Sequence, residues 1–133
     1  MNTLVDTSVW SLALRRDIPP DTKEVRLLSK CLQQQDTLFT TGIIIQELLQ
    51  GFHGSRQRER IVEQFSSFPI IVPDLNDHIE AATLQASCRR KGIQIGTIDA
   101  LLAQLAISHD LDLLTADRDF TLMARQVPLR ILS

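Results

Sequence analysis

Short β-prone runs alternate with longer helical periodicities along the whole of this chain, and that alternation leaves few folds open. Thr3 to Val5, Thr37 to Thr40, Pro69 to Val72, Leu111 to Thr115 and Leu129 to Leu132 read as strands. Between them, apolar spacing predicts helices over Thr7 to Leu14, Asp21 to Gln35, Ile43 to Phe52, Ser55 to Ser66, Asp77 to Lys91, Thr97 to His109 and Asp117 to Arg125. Pro19-Pro20 stops the first of these, Gly51 and Gly54 the third, and Gly92 the fifth. Asp77 and Glu80 stand at capping-box spacing. Short strands joined by helices favour parallel pairing. The expected class is therefore α/β, a three-layer α/β/α sandwich with a central parallel sheet, built as one domain over residues 1–133. The order of the strands is not readable at this level.

A hydrophobic content of 44% in 133 residues supports a real core and excludes disorder. With 16 acidic side chains against 14 Lys and Arg, the formal charge is −2. There is no global basic field, so contact with nucleic acid has to come from local patches or from a metal. Cys31 and Cys88 lie far apart in helical patterns, without CxxC or zinc spacing, which fits a reduced, cytoplasmic setting. Met1-Asn2-Thr3 shows no secretory leader, and no apolar run approaches the ~20 residues of a membrane span, so no membrane association is expected.

The chemistry lies in carboxylates at the ends of apolar runs. Asp6 follows Leu4-Val5, Asp117 follows the run ending at Thr115, and Asp99 stands in the first turn of the helix from Thr97. Glu47 occupies a polar position of its helix, beside Gln46 and Gln50. Strand-then-Asp at both ends of one chain gathers acids at the carboxyl edge of a parallel sheet, where open α/β folds place their sites. Two unit charges at ~4 Å repel by roughly 4 kcal/mol at an effective dielectric of ~20. A hard divalent cation, Mg²⁺ or Mn²⁺, removes that repulsion. Taken singly, each acid also has a plain structural use: Asp6 and Asp117 as helix caps, Asp99 against a helix dipole, Glu47 in solvent. Thr7, Ser8, Thr97 and Thr115 flank the acids and are suited to orient them. Asp112 and Asp119 are further acids expected near the same edge, with Asp119 either assisting or solvated.

The opening LVDTSVW, the helix IIIQELLQG and the segment TIDALLAQLAISHDLDLLTADRDF, in that order, resemble the PIN domain family. The run from IDALLAQLA to LLTADRDF resembles VapC-type toxins of type II toxin–antitoxin modules. The resemblance implies a Mg²⁺- or Mn²⁺-dependent endoribonuclease. Asp6, Glu47, Asp99 and Asp117 fall on the family's acidic positions, as catalytic and metal-holding residues. Thr7 or Ser8 falls on its hydroxyl position, and Asp119 on a less regular extra acid. It further implies an RNA substrate, a cognate antitoxin protein and a homodimer.

Arg15 and Arg16 follow the helix that begins beside Asp6 and are the expected phosphate contacts, ahead of Arg56-Arg58-Arg60 and Arg89-Arg90-Lys91. Trp10 is expected in the core, with base stacking as the other option. The helix from Asp77 to Lys91 is apolar on two sides, Ile79, Ala82 and Ala86 on one and Ala81, Leu84 and Cys88 on the other. It is either sandwiched inside the domain or exposed to a second copy or an antitoxin helix. A receiver domain needs an acidic pair where Asp6 stands alone and a later Lys than Lys91, and a haloacid-dehalogenase-like phosphatase needs DxD where this chain has Asp6-Thr7-Ser8. A non-catalytic PIN-like module that binds RNA or protein is the remaining alternative.

Overall fold

The structure, a computed structural model, describes residues 2–15 and 17–133. The chain runs β1 (Asn2–Val5), α1 (Thr7–Leu14), α2 (Lys23–Gln33), β2 (Thr37–Thr41), α3 (Gly42–Gln50), α4 (Ser55–Phe65), β3 (Ile70–Ile71), α5 (Leu75–Arg90), α6 (Thr97–Ser108), β4 (Asp112–Leu114), α7 (Arg118–Met123) and β5 (Arg130–Ile131). The strands form one parallel sheet in the order β3-β2-β1-β4-β5. From β1 the chain builds outward through β2 to β3, then returns across the sheet to β4 and β5. Right-handed crossovers in opposite directions put the connecting helices on opposite faces. α1 to α4 pack among themselves and α5 packs along α6, giving the three-layer α/β/α arrangement.

The centre of the sheet is buried on both faces. Leu4, Val5, Leu113 and Leu114 are wholly inaccessible, which explains why β1 and β4 read as continuous apolar runs. Trp10 is buried in the helical layer, its ring 4.7 Å from that of Phe65 in an edge contact and 5.7 Å from that of Phe68. It packs the core and offers no face to a base. Cys31 and Cys88 are free and buried, and burial raises both thiols above their ordinary range. No helix among the described residues is long and apolar enough to cross a membrane.

The starts of α2 and α5 each lie two residues from the expectation. α2 begins at Lys23, because Thr22 Oγ1 accepts the Val25 N–H at 3.2 Å and fixes the N-cap there. The capping box of α5 is Asp74 with Asp77, not Asp77 with Glu80. Asp74 is extended after Pro73 and its carboxylate reaches the Asp77 N–H at 2.8 Å, while Asp77 accepts the Asp74 N–H at 2.9 Å. α5 buries Ala81, Leu84 and Cys88, and its other apolar side, Ile79, Ala82 and Ala86, faces outward.

Candidate metal centre

The chain changes direction across the sheet between β1 and β4, and the crevice at their carboxyl ends is a topological switch point. The turns leaving these strands are stitched together by the backbone, with Asp6 N–H donating to Leu114 O at 2.9 Å. Asp6 sits at the N-cap position of α1, yet its side chain makes no cap hydrogen bond. Asp6 is 6% exposed, and its Oδ2 instead accepts from Ser8 Oγ at 2.8 Å and from Thr115 Oγ1 at 2.9 Å. A buried carboxylate that forgoes its local cap for two hydroxyls is held for another purpose.

Those hydroxyls are doubly used. Ser8 Oγ accepts the Ala116 N–H at 3.0 Å and Thr115 Oγ1 accepts the Asp117 N–H at 3.0 Å. Each gives its proton to Asp6 and takes one from the turn after β4, locking the two acid-bearing turns together. Asp117 does cap its helix: its Oδ1 accepts the Asp119 N–H at 2.9 Å. Half-buried Glu47, in the second turn of α3, accepts from Thr7 Oγ1 at 3.1 Å through Oε1, which ties α3 to the start of α1. Asp99 lies in the first turn of α6, after Gly96 at the N-cap; Thr97 is exposed and provides no cap.

Electrostatics gathers these groups on Asp99. Its carboxyl is pushed up to about 6, first by burial, then by the negative charges of Asp117, Asp6, Glu47 and Asp119. Carboxylate oxygens of Asp99, Asp117 and Asp119 lie within 4.8 Å of one another. Unit charges that close repel by about 3 kcal/mol at an effective dielectric of ~20. Asp119 is exposed but belongs to this trio, closer to Asp99 than a merely solvated helix position; its signal was its place two residues after Asp117, in the same first turn. Among the described residues, Asp6 Oδ1, Glu47 Oε2 and both Asp99 oxygens accept no hydrogen bond. A set of hard oxygen donors with open lone pairs and unrelieved repulsion fits a hard divalent cation.

Other candidates fall elsewhere. Asp112 is not at this edge: it opens β4 at the opposite end of the sheet and pairs with Arg130 at 2.8 Å. An acid at the start of a strand and one after its end lie on opposite edges. Arg58 donates to Leu49 O at 2.8 Å, so it closes the end of α3. His109 Nδ1 lies 3.0 Å from Leu105 O in its own helix. Arg16 lies outside the described residues. Arg15 ends α1, exposed, on the helical stripe that begins at Ser8.

This fold is similar to that of VapBC2 from Rickettsia felis bound to a promoter DNA fragment, at a TM-score of 0.77 and 21% identity over 99% of this chain and 98% of that one. It is similar to VapBC-1 from nontypeable Haemophilus influenzae, at 0.75 and 18% identity over 100% and 98%. It is also similar to VapC20 from Mycobacterium tuberculosis, described as a sarcin-ricin loop cleaving toxin, at 0.70 and 16% identity over 96% and 98%. No curated protein sequence matches the chain. The sequence pattern of the PIN domain matches residues 3–126, nearly the whole length described above with its switch-point acids, and the chain belongs to the PIN domain family.

Proposed function

We propose that this chain is a cytoplasmic, Mg²⁺- or Mn²⁺-dependent endoribonuclease, acting as the VapC-type toxin of a type II toxin–antitoxin module, with residues 1–133 as one catalytic unit. The observation that carries this reading is the convergence of Asp6, Glu47, Asp117 and Asp119 on a half-buried Asp99 at the β1/β4 switch point. Asp6, Glu47, Asp99 and Asp117 would hold the cation. When bound, the cation supplies Lewis acidity at a phosphoryl oxygen and a water acidic enough to attack at neutral pH. The chain's own groups hold that arrangement. Ser8 and Thr115 occupy Asp6 Oδ2 and leave Oδ1 open, and Thr7 does the same for Glu47 through Oε1; Asp119, within 4.8 Å of Asp99 and Asp117, would assist. The first turn of α6 brings backbone N–H groups beside Asp99, where an anionic phosphate gains from them. No side chain here need form a covalent bond to RNA.

Hydrolysis by water leaves a 5′-phosphate and a 3′-hydroxyl, and cleavage should disappear on chelation. End-mapping of an RNA digest with Mg²⁺, with Mn²⁺ and with EDTA reads both. Cyclic 2′,3′-phosphate ends, or cleavage unchanged in EDTA, would sink the metal-dependent mechanism. A protein that binds RNA without cutting it under any of these conditions would be the non-catalytic module.

The partner reading rests on the outward side of α5 and the end of β3 beside it. Ile70, Val72, Leu75 and Ile79 are large apolar residues between 50% and 82% exposed, beside a groove of about 530 Å³ that includes Ile43, Ala82 and Leu101. An apolar patch of this kind marks an association surface. A homodimer is expected by light scattering, growth arrest on expression of the chain alone, and rescue by a small neighbouring antitoxin. A monomer at high concentration removes the dimer, and normal growth with folded protein removes the toxin.

A further inference from the structure

The stripe of α1 that starts at Ser8 continues through Ser11, Leu12 and Arg15, the spacing of a single helical face. With Pro20 and Thr22 from the α1–α2 connection it lines a cleft of about 340 Å³. The cleft joins the acid cluster at Ser8, whose hydroxyl holds Asp6. Arg15 closes its other end, about 10 Å farther along the helix at ~1.5 Å per residue.

Arg15 is placed in an unusual way. Its guanidinium lies over Gly51, the residue that ends α3, so closely that a Cβ at position 51 would overlap Nη2. No ion pair among the described residues engages Arg15. The arginine is seated by backbone packing, not by a carboxylate, and its planar fork of donors stays open for an anion. Hydroxyls and small apolar surfaces line the rest of the cleft. Ser11 carries a hydroxyl, and Thr22, whose oxygen accepts the Val25 N–H, still has its own hydroxyl proton to donate. Leu12 and Pro20 add apolar surface without an aromatic ring.

We propose that this cleft is the subsite for the nucleotide adjoining the bond to be cut, with its phosphate on the Arg15 guanidinium and Gly51 as the positioning residue that sets the reach of that arginine. The proposal rests on the ribonuclease reading. It follows from charge: a phosphodiester strand entering an acidic centre gains from a cation beside that centre, and Arg15 lines the same cleft as Ser8. Ser11 and Thr22 suit the ribose hydroxyl. Without an aromatic platform, the base in this position is held loosely, so base identity has little influence there.

The test uses the full chain on a single-stranded RNA oligonucleotide, with kcat and KM measured over a salt series. Arg15→Ala is expected to raise KM about 10-fold or more, as loss of a charged hydrogen bond does, with kcat little changed. The salt dependence should also fall by about one counterion. Arg15→Lys should recover part of the affinity through charge alone. Gly51→Ala should raise KM in the same direction: its φ of −86° accepts alanine, and the group displaced is the flexible tip of Arg15. Base changes at the adjoining nucleotide should leave KM within about twofold, below the cost of losing one base–aromatic stack. If wild-type protein cleaves RNA while Arg15→Ala and Gly51→Ala keep its KM and salt dependence, the subsite is wrong and the ribonuclease reading survives. A fall in kcat at constant KM also overturns it, as does an Arg15→Ala defect confined to binding a protein partner. Wild-type protein that cuts no RNA overturns the ribonuclease reading and the subsite together.

Discussion

Asp99→Asn should abolish RNA cleavage and at the same time make the metal-free protein harder to unfold. Asn keeps the shape of the side chain and removes its charge. The charge is the costly part, because Asp99 is half-buried and faces Asp117, Asp6, Glu47 and Asp119. Without metal the substitution relieves repulsion, and substitutions that neutralise a strained functional site often stabilise a fold. With metal it removes a ligand from the centre of the cluster. Altering a group that only orients a metal ligand already costs about 10- to 100-fold in affinity or activity, so losing the ligand itself should cost more than about 10²-fold. Initial rates with Mg²⁺ and melting temperatures with EDTA read the two effects. Retained cleavage with ordinary metal dependence would falsify the assignment of Asp99. Lower stability without metal would mean that the carboxylate is structural.

Much of this was legible because the relevant signals are local. Leu4-Val5 and Leu113-Leu114 announce doubly covered strands by being apolar without alternation, and the acid after each strand follows from that placement. The order β3-β2-β1-β4-β5 was not legible, since pairing between β1 and β4 joins segments with no shared local pattern. The same limit hid the seat of Arg15 on Gly51 and the bonds from Ser8 and Thr115 across two turns. Asp112 lies on the opposite edge from the one expected because an acid inside a strand pattern does not say which end of the strand it marks. The Asp74 cap is hard to read for a different reason: Pro73 masks the helix start, although a residue after proline is free to take the extended N-cap conformation that Asp74 shows.

The melting temperature of the metal-free protein should fall as pH rises from about 4 to about 6, and Mg²⁺ should reverse the loss only toward the neutral side. An unfolded chain returns Asp99 to the ordinary carboxylate range near ~3.9, whereas in the fold its carboxyl is pushed up to about 6. Between those values the folded state binds the proton and the unfolded state does not. Stability therefore decreases with pH across that window and levels off above it. The site is partly exposed, so after discounting for solvent screening the loss is about 1–2 kcal/mol, or several degrees for a domain of this size. Other groups add pH dependence of their own, so the informative quantity is wild type minus Asp99→Asn, in which their contributions cancel. A cation at about 100 times its dissociation constant returns about 2.7 kcal/mol, but only where Asp99 is ionised. Melting curves at pH 4.5 and 7.5, with and without Mg²⁺, should show a gain at the higher pH alone. Equal gains at both, or a pH slope that Asp99→Asn leaves unchanged, would mean that the repulsion centred on Asp99 is not what a metal relieves.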